Sequence, residues 1–332
     1  RLLAVLPFIG GCDDKSEQVP NEFSPAVPMP AASLAPDRAL TRIALGSCYH
    51  PSLKSGIFNE ITAQNPDVFV FLGDNVYAAD ESDDPTLISL RESYANLSAV
   101  ESFAALREST PLLVAWDDHD YGKDDAGGDF KYRDFSESLY AYVWNIEPSD
   151  ERTSRPGVYF EQTLGPTDKQ VQFITLDTRS FRTPLTRHPD QDIGRYVESQ
   201  DPNQSVLGEP QWKWLEEQLQ KPANIRIIIT PIQLIADGHH WESWRVMPTE
   251  RERLYRLLSS SMANGVIVVS GDRHSAAIYE LAEFEPYPLY ELTTSSLNVP
   301  LTSFVKNPVD EPGPHRLTKP FYESNYGLID IN

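Results

Sequence analysis

PLLVAWDDHDYG, residues 111–122, couples an apolar run to four consecutive charged or titratable residues. Residues 112–116 have the length and composition of a fully buried strand. Asp117, Asp118, His119 and Asp120 follow at once. In open α/β folds the carboxyl ends of strands border the ligand site. Carboxylates crowded there without a partner would repel one another and lose hydration at high cost. A bound cation relieves both problems, and Asp with His is suitable ligand chemistry for one. An exposed acidic turn would explain one such tetrapeptide, but the same pattern recurs along the chain.

Residues 43–45 form a short strand followed by Gly46-Ser47-Cys48. The run DVFVFL (67–72) leads into Gly73-Asp74-Asn75-Val76-Tyr77, and VQFITL (171–176) into Asp177-Thr178-Arg179. The run VIVVS (266–270) leads into Gly271-Asp272-Arg273-His274. As parallel neighbours, these strands would deliver all those side chains to one edge. Carboxylates, two imidazoles, a thiol and a phenol are enough for two metals of different preference. Thiolate and phenolate suit iron, whereas carboxylates suit calcium, magnesium or manganese. Two metals about 3.5–4 Å apart are the usual device for in-line displacement at phosphorus. Arg179 suits a bidentate clamp on a phosphoryl oxygen.

The remaining elements fit layers of helix and sheet. Helices are expected at 56–63, 87–107 and 135–144, and from Gly208-Glu209-Pro210 through Leu219. Another runs to residue 258 behind a Thr249/Glu252 capping box. Residues 158–163 and 171–176 read as a hairpin, 225–230 as a strand, 187–204 as a surface loop, and 287–294 and 326–331 as closing strands. Strands interleaved with helices, with hairpins among crossovers, mean an α/β layer fold with mixed sheets. Asp124, Asp125 and Asp129 around Gly127-Gly128 fit no EF-hand spacing and read as an acidic turn.

The chain has 332 residues with 28 basic against 49 acidic, a net charge of −21. That balance argues against nucleic-acid binding, and it means an anionic substrate must be captured by local cations. Residues 1–12 (RLLAVLPFIGGC) read as the remainder of a lipoprotein-type signal, with small residues before a lipidated Cys12. Residues 13–36 are polar and Pro-rich and read as a tether, leaving 37–332 as the catalytic domain. The expected location is therefore outside the cytoplasm, periplasmic or at the cell surface, held to a bacterial membrane by lipid alone.

The motifs taken together resemble the alkaline phosphatase D (PhoD-like) family of the metallophosphatase superfamily. Gly73-Asp74, the Asp-His-Asp centre and Gly271-Asp272-Arg273-His274 carry the superfamily likeness. Gly-Ser-Cys, Gly-Asp-x-x-Tyr, Trp-Asp-Asp-His-Asp-Tyr-Gly, Leu-Asp-x-Arg-x-Phe-Arg and the helix GEPQWKWLEEQL carry the family one, from about residue 42 to 279. The resemblance implies a four-layer αββα sandwich with two mixed sheets and a binuclear centre. It gives iron (Fe3+) to Cys48, Asp74, Tyr77 and His274. It gives calcium, or a hard divalent ion such as Mg or Mn, to Asp74 as bridge, Asp118 and Asp272. His119, oriented by Asp120, takes the position that protonates the leaving group, and His239 lines the substrate pocket; His240 reads as a solvated neighbour. The implied activity is hydrolysis of phosphate mono- or diesters, small or polymeric, by a metal-bound hydroxide. A non-catalytic exported lipoprotein that binds calcium or an anion is the competing reading, with a hydrolase for other bonds as a third.

If Cys12 carries lipid, Cys12→Ala moves the protein from the membrane fraction to the soluble exported fraction. Membrane association that survives the substitution removes the anchor from the account.

Overall fold

The computed structural model describes residues 21–78, 84–190, 195–261 and 263–332. Cys12 and the signal segment lie outside them. In chain order the first half comprises β1 (Arg42–Gly46), α1 (Ile57–Ala63), β2 (Val68–Leu72), α2 (Ile88–Ser98), α3 (Glu101–Ser109), β3 (Leu112–Ala115), α4 (Asp118–Tyr121) and α5 (Arg133–Val143). The second comprises β4 (Phe160–Leu164), β5 (Val171–Thr175), α6 (Gly208–Leu219), β6 (Ile225–Ile229), α7 (Pro248–Ser260), β7 (Val266–Ser270), β8 (Ala276–Leu281), β9 (Leu289–Thr294) and β10 (Gly327–Asp330).

The strands form two mixed sheets, as expected. One has the order β10-β1-β2-β3, the other β4-β5-β6-β7-β9-β8. β1, β2 and β3 run parallel, with β10 antiparallel at the edge. β5, β6, β7 and β9 run parallel, flanked by antiparallel β4 and β8.

The alternation of side chains along a strand assembles the layers. In β2, Phe69 and Phe71 join the cluster that includes Phe58, Leu97, Phe103 and Leu139 of the surrounding helices. Val68, Val70 and Leu72 face the other way, into a core shared with Val171, Phe173, Ile227 and Ile229 of the second sheet. In β6, Ile228 instead joins Trp212, Leu215 and Leu254 on α6 and α7. The order is thus helices, sheet, sheet, helices. Strands buried on both faces read as unbroken apolar runs.

Four local expectations differ. The helix expected over 87–107 is two, α2 and α3, because Val100 adopts an extended backbone (φ −73°, ψ 106°) and starts the second. β8 was not expected, since AAIYEL has only a weak apolar alternation, with Ala277 and Tyr279 buried and Ile278 exposed. The Thr249/Glu252 capping box does not form. α7 begins at Pro248, placing Thr249 inside the helix. Finally, residues 21–36 lie on the body. Ala26 and Met29 are buried, and the Met29 and Ala32 amides donate to the Val143 and Arg107 carbonyls, each at 2.7 Å. Apolar residues spaced between prolines let an extended segment lie in a groove, so residue 36 does not mark the edge of the packed body.

Met29→Ala should lower the unfolding free energy by about 2–5 kcal/mol, the usual loss for truncating a buried Met. A urea midpoint that does not move would mean the segment carries no packing.

Candidate metal centre

Parallel pairing brings the carboxyl ends of β1, β2 and β3 together, and stacking sets them against those of β5, β7 and β9. Cys48 and Asp74 follow β1 and β2, Asp272 and His274 follow β7, and all four have positive φ (57°, 50°, 64° and 52°). Each such residue costs about 1–2 kcal/mol relative to ordinary backbone, strain of a kind that gathers at functional sites. Gly73 (φ +98°) is required here, because a Cβ would come within 2.6 Å of the Asp117 Cβ.

Asp74 is the common member of two groups. Its carboxylate, Asp118 and His119 have ligand-type atoms all within 4.8 Å of one another, and so do Asp74, Asp117 and Asp272. The Tyr77 hydroxyl donates to Asp74 Oδ2 at 2.9 Å, and Cys48 Sγ lies 3.4 Å from the same oxygen. Asp74 Oδ1 and Asp117 Oδ2 are buried without a hydrogen-bond partner among the described residues. A carboxylate with one oxygen toward a thiol and a phenol and the other unengaged is well suited to bridge two cations.

The electrostatics call for positive charge. Burial, then the charges of Cys48 and three neighbouring aspartates, raises Asp74 well above the ordinary carboxylate range. Burial raises Asp272 likewise, against the pull of Arg273. It also pushes the Cys48 thiol to about 11. Asp118 goes the other way. Burial opposes its charge, but His119, Arg179 and the Asp125 amide, at 2.7 Å, hold it below the usual range. A bound cation would favour the deprotonated form of the rest of the set.

Hydrogen bonds separate the histidines. The His274 Nδ1 sits 2.5 Å from the Val299 carbonyl, which only accepts, so Nδ1 carries the proton and Nε2 is a free lone pair. Burial lowers His274 to about 4, which suits a neutral metal ligand. In His239 the arrangement is reversed. Its Nδ1 accepts from the Trp241 amide at 3.2 Å, so Nε2 is the donor, buried and without a partner among the described residues. Burial, then Arg273 and Arg245, pushes His239 well below its ordinary value. His119 is only partly buried, its ring 4.2 Å from that of Tyr77.

Two expected roles do not fit this placement. Asp120 does not hold the His119 imidazole. Its carboxylate accepts from the Asp117 and Asn75 amides at 2.9 and 3.0 Å and from the Tyr94 hydroxyl at 3.2 Å. With Asp117 it forms a true capping box at α4. Arg179 is fully buried and does not reach toward a substrate. It bonds Asp117 Oδ1 through Nε at 2.6 Å, and its Nη1 pairs with Glu242 at 2.7 Å. Glu242 is shared with Arg182, whose Nε lies at 2.9 Å.

Sequence reasoning left Asp117, Glu242 and Ser295 without a role. Asp117 is in the second carboxylate group, and Glu242 completes the ion-pair chain behind it. Ser295 Oγ contacts Cys48 Sγ at 2.9 Å and accepts from the His274 amide at 2.8 Å. The Asp-x-x-Asp spacing of a capping box was the one available signal for Asp120.

The family model described as PhoD-like phosphatase matches residues 43–321. Alkaline phosphatase D of Bacillus subtilis (strain 168) is 25% identical over 238 residues, covering 64% of this chain and 39% of that protein. The chain thus spans about two fifths of the length of that curated relative. A solved structure of PhoD superposes with a TM-score of 0.68 at 19% identity, covering 91% of this chain and 65% of that one. GAP50, the anchor in the inner membrane complex of Plasmodium, gives a TM-score of 0.51 at 13% identity, over 88% of this chain and 81% of that one. These structural likenesses establish the fold.

Because Asp74 belongs to both groups, Asp74→Asn should abolish metal binding, and Asp118→Asn, which touches one group alone, should remove about half of it; Cys48→Ser should also lower metal content, since its Sγ lies 3.4 Å from Asp74 Oδ2. Elemental analysis of the folded variants decides. Unchanged metal in Cys48→Ser would return the thiol to a packing role.

Proposed function

The chain belongs to the PhoD-like phosphatase family, and from that premise we propose that it is a metal-dependent phosphoesterase acting on phosphate mono- or diesters at a binuclear centre. The observation that carries this reading is the Asp74 carboxylate, which meets the Cys48 thiol and Tyr77 hydroxyl with one oxygen and gathers Asp117, Asp118, His119 and Asp272 around it, with buried oxygens left unengaged. Iron suits the thiol, phenol and imidazole of Cys48, Tyr77 and His274 with Asp74, and calcium or another hard divalent ion suits Asp74, Asp118, Asp272 and Asp117. Such a pair supplies a water acidified for attack at phosphorus and positive charge for the phosphoryl oxygens.

The protein residues divide the remaining work. His239 offers a neutral Nε2–H donor to a phosphoryl oxygen, and its depressed basicity makes it a poor proton source. His119, partly open to solvent beside the carboxylates, is the better placed acid for the leaving alkoxide. Arg179 serves by holding Asp117 in position, since its guanidinium is engaged by two carboxylates. The exported, lipid-anchored location read from residues 1–12 belongs to the same proposal.

A proton donor matters most for a poor leaving group, because a nitrophenolate departs unaided. His119→Ala should slow hydrolysis of an alkyl phosphate by about 10²-fold or more, with far less effect on nitrophenyl phosphate and metal content intact. His239→Ala should weaken both substrates alike. Metal loss in His119→Ala would make that residue a ligand. Leaving-group dependence in His239→Ala would reassign the acid.

A further inference from the structure

One side of the candidate metal centre is built of rings. Tyr77 lies parallel to His50, with centroids 5.9 Å apart, and its centroid is 6.1 Å from that of His274. His274 in turn meets Phe304 at 5.2 Å, with the two planes inclined by 67°. The rings therefore follow one another as a wall, His50, Tyr77, His274 and Phe304, and its two middle members are side chains assigned to the iron site.

Phe304 is the odd member. The other three are half-buried, whereas Phe304 is 64% exposed. A lone apolar side chain on a surface is ordinary, but this one is fixed against the centre. The Val299 carbonyl meets His274 Nδ1, and the Leu301 amide donates to the His274 carbonyl at 2.8 Å. The short helical turn Leu301–Ser303 follows, closed by the Phe304 amide on the Leu301 carbonyl at 2.9 Å. The same few residues thus hold the His274 imidazole and present an open phenyl ring beside it.

The wall also stands where a leaving group would depart. His119, the acid in the reading above, packs its ring on Tyr77 at 4.2 Å, so the oxygen it protonates leaves next to these rings. An open aromatic face holds a planar group by offset or edge-on stacking, with centroids about 4.5–7 Å apart. It does so without hydrogen bonds, because every base or aryl ring has a π-face.

We propose that Phe304 is the stacking residue of a leaving-group subsite, selecting phosphate esters whose alcohol carries a planar aromatic group, a nucleobase or an aryl ring. The inference rests on the phosphoesterase reading and deepens it by naming the substrate class. Phe304 acts on KM, since it meets a part of the substrate that does not change during the reaction.

Two matched pairs of alkyl esters test this on the metal-loaded full chain: adenosine 5′-phosphate against ribose 5-phosphate, and phenylethyl phosphate against cyclohexylethyl phosphate. Within each pair the reacting oxygen is the same and only the distant group differs. In at least one pair the planar member should have a kcat/KM higher by about fivefold or more, and the pair that responds tells a base from a simple aryl ring. Phe304→Leu, which keeps an apolar contact on His274, should bring that pair to parity through KM. It should leave the non-planar member within about twofold and the metal content unchanged, while Phe304→Tyr keeps the preference. No preference in either pair, a preference that survives Phe304→Leu, or equal losses on both members overturns the subsite. If no ester is hydrolysed, the phosphoesterase reading fails on its own. Calorimetric binding of adenosine 5′-phosphate and ribose 5-phosphate then decides the subsite. Affinity for the nucleotide about fivefold tighter, and lost in Phe304→Leu, supports it; equal affinity overturns it.

Discussion

The structure is constrained by one local conflict, the packing of four aspartates at the ends of strands where water has little access. Asp74, Asp117, Asp118 and Asp272 are brought together by sheet pairing that is itself driven by apolar burial. Carboxylates cannot share such a space as bare anions. The protein answers part of the conflict with Arg179, buried between Asp117 and Glu242, and leaves Asp74 Oδ1 and Asp117 Oδ2 buried without a hydrogen-bond partner among the described residues. A buried pair of this kind adds little net stability, but breaking it strands a charge, a loss of about 3–5 kcal/mol. Its value here is positional, because it fixes one oxygen of Asp117 and leaves the other exposed to the centre.

Much of the fold was legible because each signal was redundant. The run Val68–Leu72 is apolar at every position, and the structure divides it cleanly between a helix-facing and a sheet-facing core. The Gly-Asp pairs after β2 and β7 marked the strand ends, and the structure brings them to one place. β8 escaped notice because only two of its side chains are buried and its outer edge is paired with residues 315–321, which have no strand pattern of their own. The groove-lying segment around Met29 escaped because nothing in a Pro-rich composition reports a docking surface on another element.

In the site, residue types were legible and their partners were not. Asp120 was read as orienting the His119 imidazole and Arg179 as clamping a phosphoryl oxygen, since a carboxylate next to a histidine and an arginine after a strand commonly act so. The structure turns Asp120 to three protein donors and Arg179 to two carboxylates. Apart from the Asp117-x-x-Asp120 spacing of the capping box, neither outcome is visible in spacing, because Asn75, Tyr94 and Glu242 come from distant parts of the chain. The same holds for the histidines. Whether Nε2 is left as a lone pair or as an N–H donor follows from whether Nδ1 faces a carbonyl or an amide, which only tertiary placement decides.

The account stands on two cations sharing the Asp74 carboxylate, and anomalous diffraction from crystals of the purified protein tests it most directly. It predicts one peak at the iron edge within bonding distance of Cys48, Tyr77, His274 and Asp74, and a second metal about 3.5–4 Å away on the far oxygen of Asp74. A single metal, or an iron peak that Cys48 does not ligate, would contradict it.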